Sequence, residues 1–399
     1  MKFSLSLSHV SAGFIAVLVG YTSSAAIVFQ AATAAGATAA EISSWLWAIG
    51  MGMGLSTIGL SLYYRMPVLT AWSTPGAALL VTGLSGITLA EAVGVFLFSS
   101  LLITLVGFSG GFDKIMRYVP APLAAAMLAG VLFQFGLNLF NVAGTHLTLV
   151  LLMLMTYLGA RRLLPRYVIP LALLVGFVVA GLQGQLRFEN FEVQWSSPVW
   201  VTPEFTLQSL IGVGIPLFIV TMASQNLPGI AVLRANGYKV PASPLISTTG
   251  ITGLLLAPFG GFAYNLAAIT AAICMGKDAG PDPDKRYWAS VSAGCFYLLA
   301  GVFGATVAGL FAAFPEALVM AIAGLALLGT IGNSLAGALA DEHSREASLL
   351  TFLITASGIS LVGIGSAFWG ILVGLAAYYL LSDKRKSNES EVARDSSRA

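Results

Sequence analysis

The chain has 399 residues, 57% of them hydrophobic and 9% charged, with a net charge of +2 and a mean hydropathy of +0.87. Soluble domains carry charge on about 25% of their residues, so an ordinary soluble enzyme is excluded, and a near-neutral balance says nothing for nucleic acid. Apolar runs of about 17 to 25 residues exclude the short alternating segments of an outer-membrane barrel, and amides in hydrocarbon must pair within the chain, so the runs are expected to be membrane-spanning helices.

In chain order, charges, Pro and Gly mark segments at 9–30, 41–64, 66–84, 89–111, 120–140, 145–163 and 166–184 in the first half. The second half gives 207–234, 243–258, 259–276, 286–311, 315–339, 345–364 and 366–382. The opening MKFSLSLSHVSAGF leads into an apolar run too long for a signal peptide, so it reads as a retained first span. Cytoplasmic loops collect Lys and Arg. With the N-terminus inside and fourteen alternating spans, eighteen of the nineteen basic residues fall on one side, and Arg187 alone falls on the other. One miscounted span would reverse every loop downstream, so fourteen spans with both termini cytoplasmic is the expectation. The connection from Arg187 to Glu204, with Trp195 and Trp200, suits an interfacial linker, and the polar tail after Ser382 is expected to be disordered.

That connection leaves seven spans on each side, an odd number that forces the halves into opposite orientations. Residues 13–36 and 214–237 align without gaps, and the third span of each half is interrupted. MPVLTAWSTPGAA (66–78) and APFGGFAYNLAA (257–268) share an early proline, a polar-aromatic run and then small residues. In the first, Thr74 is expected to cap and Pro75 to open a half helix; in the second, Asn265 is the expected cap. Two opposed helix starts would turn positive dipole ends toward one volume, an arrangement suited to a carboxylate. Kinked but continuous helices are the alternative.

The eighth span holds Ser224, Gln225 and Asn226 before Pro228, and three consecutive polar side chains cannot all face lipid cheaply. The first span offers Gly20, Tyr21, Thr22, Ser23 and Ser24 as its counterpart. Aromatic residues near the interruptions, among them Phe14, Tyr21, Trp72, Phe259, Phe262 and Tyr264, could sandwich a flat ring, or simply pack. Gly50, Gly52 and Gly54 point to close approach of another helix, with no role in binding. No acidic residue stands at mid-membrane, since Glu41, Glu91 and Glu316 open spans on the outside. His9, His146 and His343 lie near span ends or in a loop. Cys274 and Cys295 lack metal-ligand spacing and read as packed thiols, so no metal and no cofactor are expected.

The runs VLTAWSTPGAALLVTG (68–83), GYTSSAAIVFQAA (20–32), TMASQNLPGIA (221–231), AAITAAICMG (267–276) and SGISLVGIGSAFWG (357–370) resemble the benzoate:proton symporter family of bacterial inner membranes, over residues 9 to 382. That family is similar in architecture to nucleobase and sulfate carriers. The resemblance implies an all-α polytopic fold of two inverted seven-span repeats, 1–204 and 205–382, followed by a cytoplasmic tail, 383–399. It implies a core (9–111 and 207–311) sliding against a gate (120–184 and 315–382), with substrate between spans three and ten. Nucleobase carriers hold the base with glutamates where this chain has Gln225, Asn226 and Asn265, so neutral amides favour a substrate that brings its own charge. The expected function is uptake of benzoate or a similar aromatic carboxylate with a proton. The expected carboxylate site is Ser73, Thr74, Gly76, Asn265 and Leu266, oriented by Ser224, Gln225 and Asn226, with Tyr21, Trp72, Phe259 and Tyr264 around the ring. A carrier of another organic anion or a nucleobase, and a passive anion channel, are the alternatives. No paired acid and base or activated nucleophile suggests an enzyme. A homodimer through spans five and twelve is left open.

Overall fold

The computed structural model describes residues 5–112, 120–188, 192–361 and 366–396, with side chains followed as far as Leu381 and the side chains of Ser23, Arg166, Ala235 and Asp278 set aside. The first half contains α1 (Leu7–Ala34), α2 (Ala39–Tyr64), β1 (Thr70–Trp72), α3 (Thr74–Gly83), α4 (Leu89–Phe108), α5 (Ala121–Ala143), α6 (Leu147–Leu163) and α7 (Val168–Leu182). The second contains α8 (Leu207–Arg234), α9 (Ala242–Leu256), β2 (Tyr264–Leu266), α10 (Ile269–Met275), α11 (Tyr287–Val302), α12 (Gly304–Ala313), α13 (Glu316–Leu339), α14 (Arg345–Ala356) and α15 (Ser366–Ser396).

Local chemistry sets many of these boundaries. Thr38 with Glu41 and Thr88 with Glu91 form reciprocal capping boxes that start α2 and α4, and Glu316 lies in the first turn of α13. The acidic residues that open spans thus satisfy helix-end donors or complement the dipole. Six described helices are long and apolar enough to cross a bilayer unaided, and eight are if two bent pairs each count as one span. The remaining segments are shorter. Taking β1 with α3, β2 with α10 and α11 with α12 as single interrupted segments gives fourteen in the expected order.

The packing pairs elements across the halves. Spans two and eleven pack together (α2 on α11), as do their counterparts four and nine (α4 on α9). Spans six and seven pack together, as do thirteen and fourteen, and five lies along twelve. Each pairing maps onto another, or onto itself, when every span advances by seven, as inverted seven-segment repeats require. The aligned glycines follow the same rule: Gly13 faces α11 at Ala289 and Ala293, and Gly214 faces α4 at Phe98.

Two features differ from the sequence reading, and a third, the linker, gains detail. The segment at 286–311 is not one rod, because α11 and α12 meet at 66° around Phe303. The chain after Ser382 continues as helix to Ser396, since DKRKSNESEVARDS holds no Gly or Pro and many good helix formers. The interfacial linker is closely held. Over 192–204 it is an extended strap sewn to α2, α4, the end of α11, the start of α12 and the turn before β2, through Ser196 N–H to Val302 O (2.8 Å), Ala305 N–H to Ser196 Oγ (2.7 Å), Val199 N–H to Ser44 Oγ (2.8 Å), Val201 N–H to Pro258 O (2.8 Å) and Glu204 N–H to Ala90 O (3.0 Å). Trp195 stacks on Phe303, and Trp200 meets Phe259 edge-on.

Candidate functional site: a cavity at the two half-helix starts

β1 and β2 pair antiparallel, with Thr70 opposite Leu266, Ala71 opposite Asn265 and Trp72 opposite Tyr264. Ser73 N–H to Ala263 O (3.1 Å) and Ala267 N–H to Leu69 O (2.8 Å) extend the ladder equally at both ends. Because the strands run in opposite directions, the helices that follow them, α3 and α10, leave the crossing in opposite directions. The pairing satisfies backbone that an interrupted helix leaves bare. Thr70 anchors the crossing to α2, bonded to Ser56 Oγ (2.7 Å) and Thr57 Oγ1 (2.8 Å).

Ser73, rather than Thr74, caps α3: its Oγ accepts from Gly76 N–H at 3.0 Å, and Pro75 sits in the first turn. At α10 the cap position is Ala268, with no side-chain bond. Asn265 lies three residues earlier, inside β2, and its Nδ2 donates to Ala263 O (3.0 Å) while its buried Oδ1 has no partner among the described residues. The half helix therefore starts later than the sequence reading gave, because strand pairing holds residues 264–266 extended.

A cavity of about 630 Å³ opens at these starts. Trp72, Thr74 and Pro75 line it from one, and Ala268, Ile269 and Thr270 from the other. Ser24 of α1, Ser224 and Gln225 of α8 and Tyr297 of α11 complete one side. The opposite set of helices contributes Ala121, Ala124 and Ala125 of α5, Ile169 of α7, and Thr330, Asn333 and Ser334 of α13. The described lining residues carry no ionisable side chain except the Tyr297 phenol.

The polar run on α8 divides in two. A π-helical turn over Met222–Asn226 interrupts the α-helical spacing. Ser224 and Gln225 face the cavity, while Asn226 is fully buried and its Oδ1 accepts Leu266 N–H at 2.9 Å. A matching tie on the other half joins Trp72 Nε1–H to Ser24 Oγ at 3.0 Å. Tyr21 packs edge-on against Trp72, with centroids 4.9 Å apart, and its buried hydroxyl has no partner among the described residues.

The structure thus gathers Trp72, Thr74, Ser224 and Gln225 at the cavity surface. Tyr21, Ser73, Gly76, Asn226, Asn265 and Leu266 stand behind it as support. Two aromatics lie elsewhere. Tyr264 is buried against α2, with its hydroxyl donating to Ala48 O (2.7 Å) and its ring against Gly52. Phe259 packs on Trp47 and Trp200 beneath the strap. The sequence reading missed Thr270, Tyr297 and the polar residues of α13. The last were visible as a triplet at i, i+3 and i+4 in an otherwise apolar helix.

Comparison with known proteins places this geometry. Residues 3–380 match the family model described as benzoate membrane transport protein. The chain is 51% identical over 380 residues to the inner membrane protein YdcO of Escherichia coli, covering 95% of this chain and 97% of that one. It is 41% identical over 387 residues to the benzoate membrane transport protein of Acinetobacter baylyi, covering 97% and 98%. Among solved structures it is similar to the transmembrane domain of the cyanobacterial bicarbonate transporter BicA (TM-score 0.57, 16% identity, 95% of this chain and 98% of that one). The murine anion transporter Slc26a9 in its inward-facing state is also similar (TM-score 0.62, 13% identity, 97% and 69%). At these identities the likeness establishes the fold: a mostly helical membrane protein of two inverted seven-span repeats, whose third and tenth segments are here interrupted by the paired strands. The chain belongs to the benzoate membrane transport protein family, and so is a membrane transport protein and not an enzyme.

Proposed function

We propose that the chain takes up benzoate, or a close aromatic carboxylate, together with a proton. The observation that carries this reading is the cavity at the two half-helix starts, with an indole on its wall and neutral hydrogen-bonding groups around it. A carboxylate accepts hydrogen bonds strongly, and the hydroxyls of Thr74 and Thr270 and the amide of Gln225 can donate to it, while the Ser224 hydroxyl donates to Val220 O. The ring would lie against Trp72, which Tyr21 and Ser24 hold in one orientation. Asn226, Asn265 and Leu266 support the site from behind rather than touching substrate.

The described lining supplies no full positive charge, so only neutral donors would offset the desolvation cost of an anion crossing alone. A proton moving with it removes that charge, which supports symport. Transport would follow from the core (9–111 and 207–311) moving against the gate (120–184 and 315–382), since the cavity is walled by both. The cavity extends to Ala121, Ile169 and Asn333, toward helix ends that the distribution of basic residues assigns to the cytoplasm, so this conformation would be open inward.

Proteoliposomes test the proposal. Radiolabelled benzoate should accumulate above the protein-free background, and faster with an inward proton gradient. Equal accumulation with and without the gradient would remove symport. Sustained conductance in planar bilayers without counterflow would replace the carrier by an anion channel.

A further inference from the structure

Helix α13 is apolar over 24 residues except at four positions: Glu316 in its first turn, then Thr330, Asn333 and Ser334. The last three share one helical face. All three line the cavity, and none of their side chains makes a hydrogen bond with another described residue. Polar side chains in a membrane helix are costly unless they meet protein, water or ligand. These three turn hydrogen-bonding groups that no described protein group engages toward the cavity, where water or substrate can meet them.

The adjacent wall is built for room. Ala121, Ala124 and Ala125 stand on the cavity face of α5, where larger side chains would fill the volume. The cavity's 630 Å³ is within the roughly 300 to 1,000 Å³ of sites that enclose drug-sized ligands, and is more than one unsubstituted ring with its carboxylate would occupy. The carboxylate end has its donors in Thr74, Gln225 and Thr270. A bare phenyl edge offers nothing to Thr330, Asn333 and Ser334.

We infer that the substrates include aromatic carboxylates bearing a ring hydroxyl, which Thr330, Asn333 and Ser334 recognise while Ala121, Ala124 and Ala125 leave space for it. This inference rests on the cavity being the substrate site. The wall that closes over the ring then selects the substituent, and the half-helix starts select the charge.

Displacement of radiolabelled benzoate from the purified full-length protein tests it, with 3- and 4-hydroxybenzoate set against 3- and 4-methylbenzoate as hydroxyl-free counterparts of similar size. In the wild type at least one hydroxybenzoate should displace the label about tenfold better than its methyl counterpart, the factor one neutral hydrogen bond supplies. Asn333→Leu should bring that ratio close to one. Ala125→Leu should weaken the substituted acids about tenfold more than benzoate. Thermal melting of each variant identifies failures of folding, and Thr330→Val and Ser334→Ala provide milder replacements on the same face. A wild-type ratio near one, or a ratio that persists through all three α13 variants, overturns the inference while leaving benzoate transport intact. Failure of benzoate itself to bind would instead remove the reading of the cavity, and this inference with it.

Discussion

Asn226 holds an element that cannot hold itself. Leu266 N–H lies in a three-residue strand sealed from water, and the Asn226 amide oxygen accepts from it. Hydrogen bonds between membrane helices average only about 0.6 kcal/mol, because donors find other partners when one is lost. A buried backbone donor in an interrupted segment has few alternatives, so the cost should approach the roughly 1 to 3 kcal/mol of an unsatisfied group. Asn226→Ala should therefore lower the melting temperature measurably, and benzoate affinity should fall with it through the shifted start of α10. Ser24→Ala should act differently: it frees the Trp72 indole, and benzoate affinity should drop several-fold with little change in melting. Equilibrium binding beside a thermal melt separates the two. The sequence shows the cluster Ser224, Gln225 and Asn226 plainly, but not its division between surface and strut. A π-helical turn decides that division, and it leaves no period to read. Asn265 reads as a cap from sequence for a similar reason, since cap preferences are local and the pairing that extends it comes from a partner about 190 residues away.

At the scale of elements, the interruptions were legible because Pro and Gly carry them, whereas the strands were not, because three residues define no alternation. Glycines then set how closely the elements approach. A methyl group at Gly50 would lie 2.5 Å from Gly301 Cα, so α2 and α11 touch backbone to backbone. Gly50→Val should force them apart and cost about 1 to 3 kcal/mol, read as reduced yield of monodisperse protein and a lower melting temperature. Gly260 has φ 92° and is seated against the Trp45 ring, so Gly260→Ala combines a left-handed backbone with a collision and should be at least as damaging. A Gly59→Ala control, where nothing stands within 4 Å, should melt like the wild type. Composition could flag Gly50, Gly52 and Gly54 as a contact stripe, but not that Gly52 receives the Tyr264 ring rather than a helix.

Across the whole molecule, the basic residues were the most informative signal, because each loop constrains every other. By the positive-inside rule they predict that both termini are cytoplasmic. Cysteine at position 198 in a background lacking Cys274 and Cys295 should therefore react with an impermeant maleimide in intact cells, and cysteine at position 284 should react only after permeabilisation. The reverse pattern would invert the topology. What loop charge cannot encode is which helices move together, since that depends on packing between distant segments. The strap over 192–204 bonds to α2, α4, α12 and the turn before β2, all within the proposed core, although it follows directly on α7 of the proposed gate. If the core travels during turnover, the strap must ride with it, and the residues from Gln183 to Leu186, ahead of the Arg187 N–H to Ala313 O bond, must take up the slack. A fluorophore on the strap, paired with one on the α5–α6 turn, would then act as an external odometer, its energy-transfer efficiency alternating once per transport cycle.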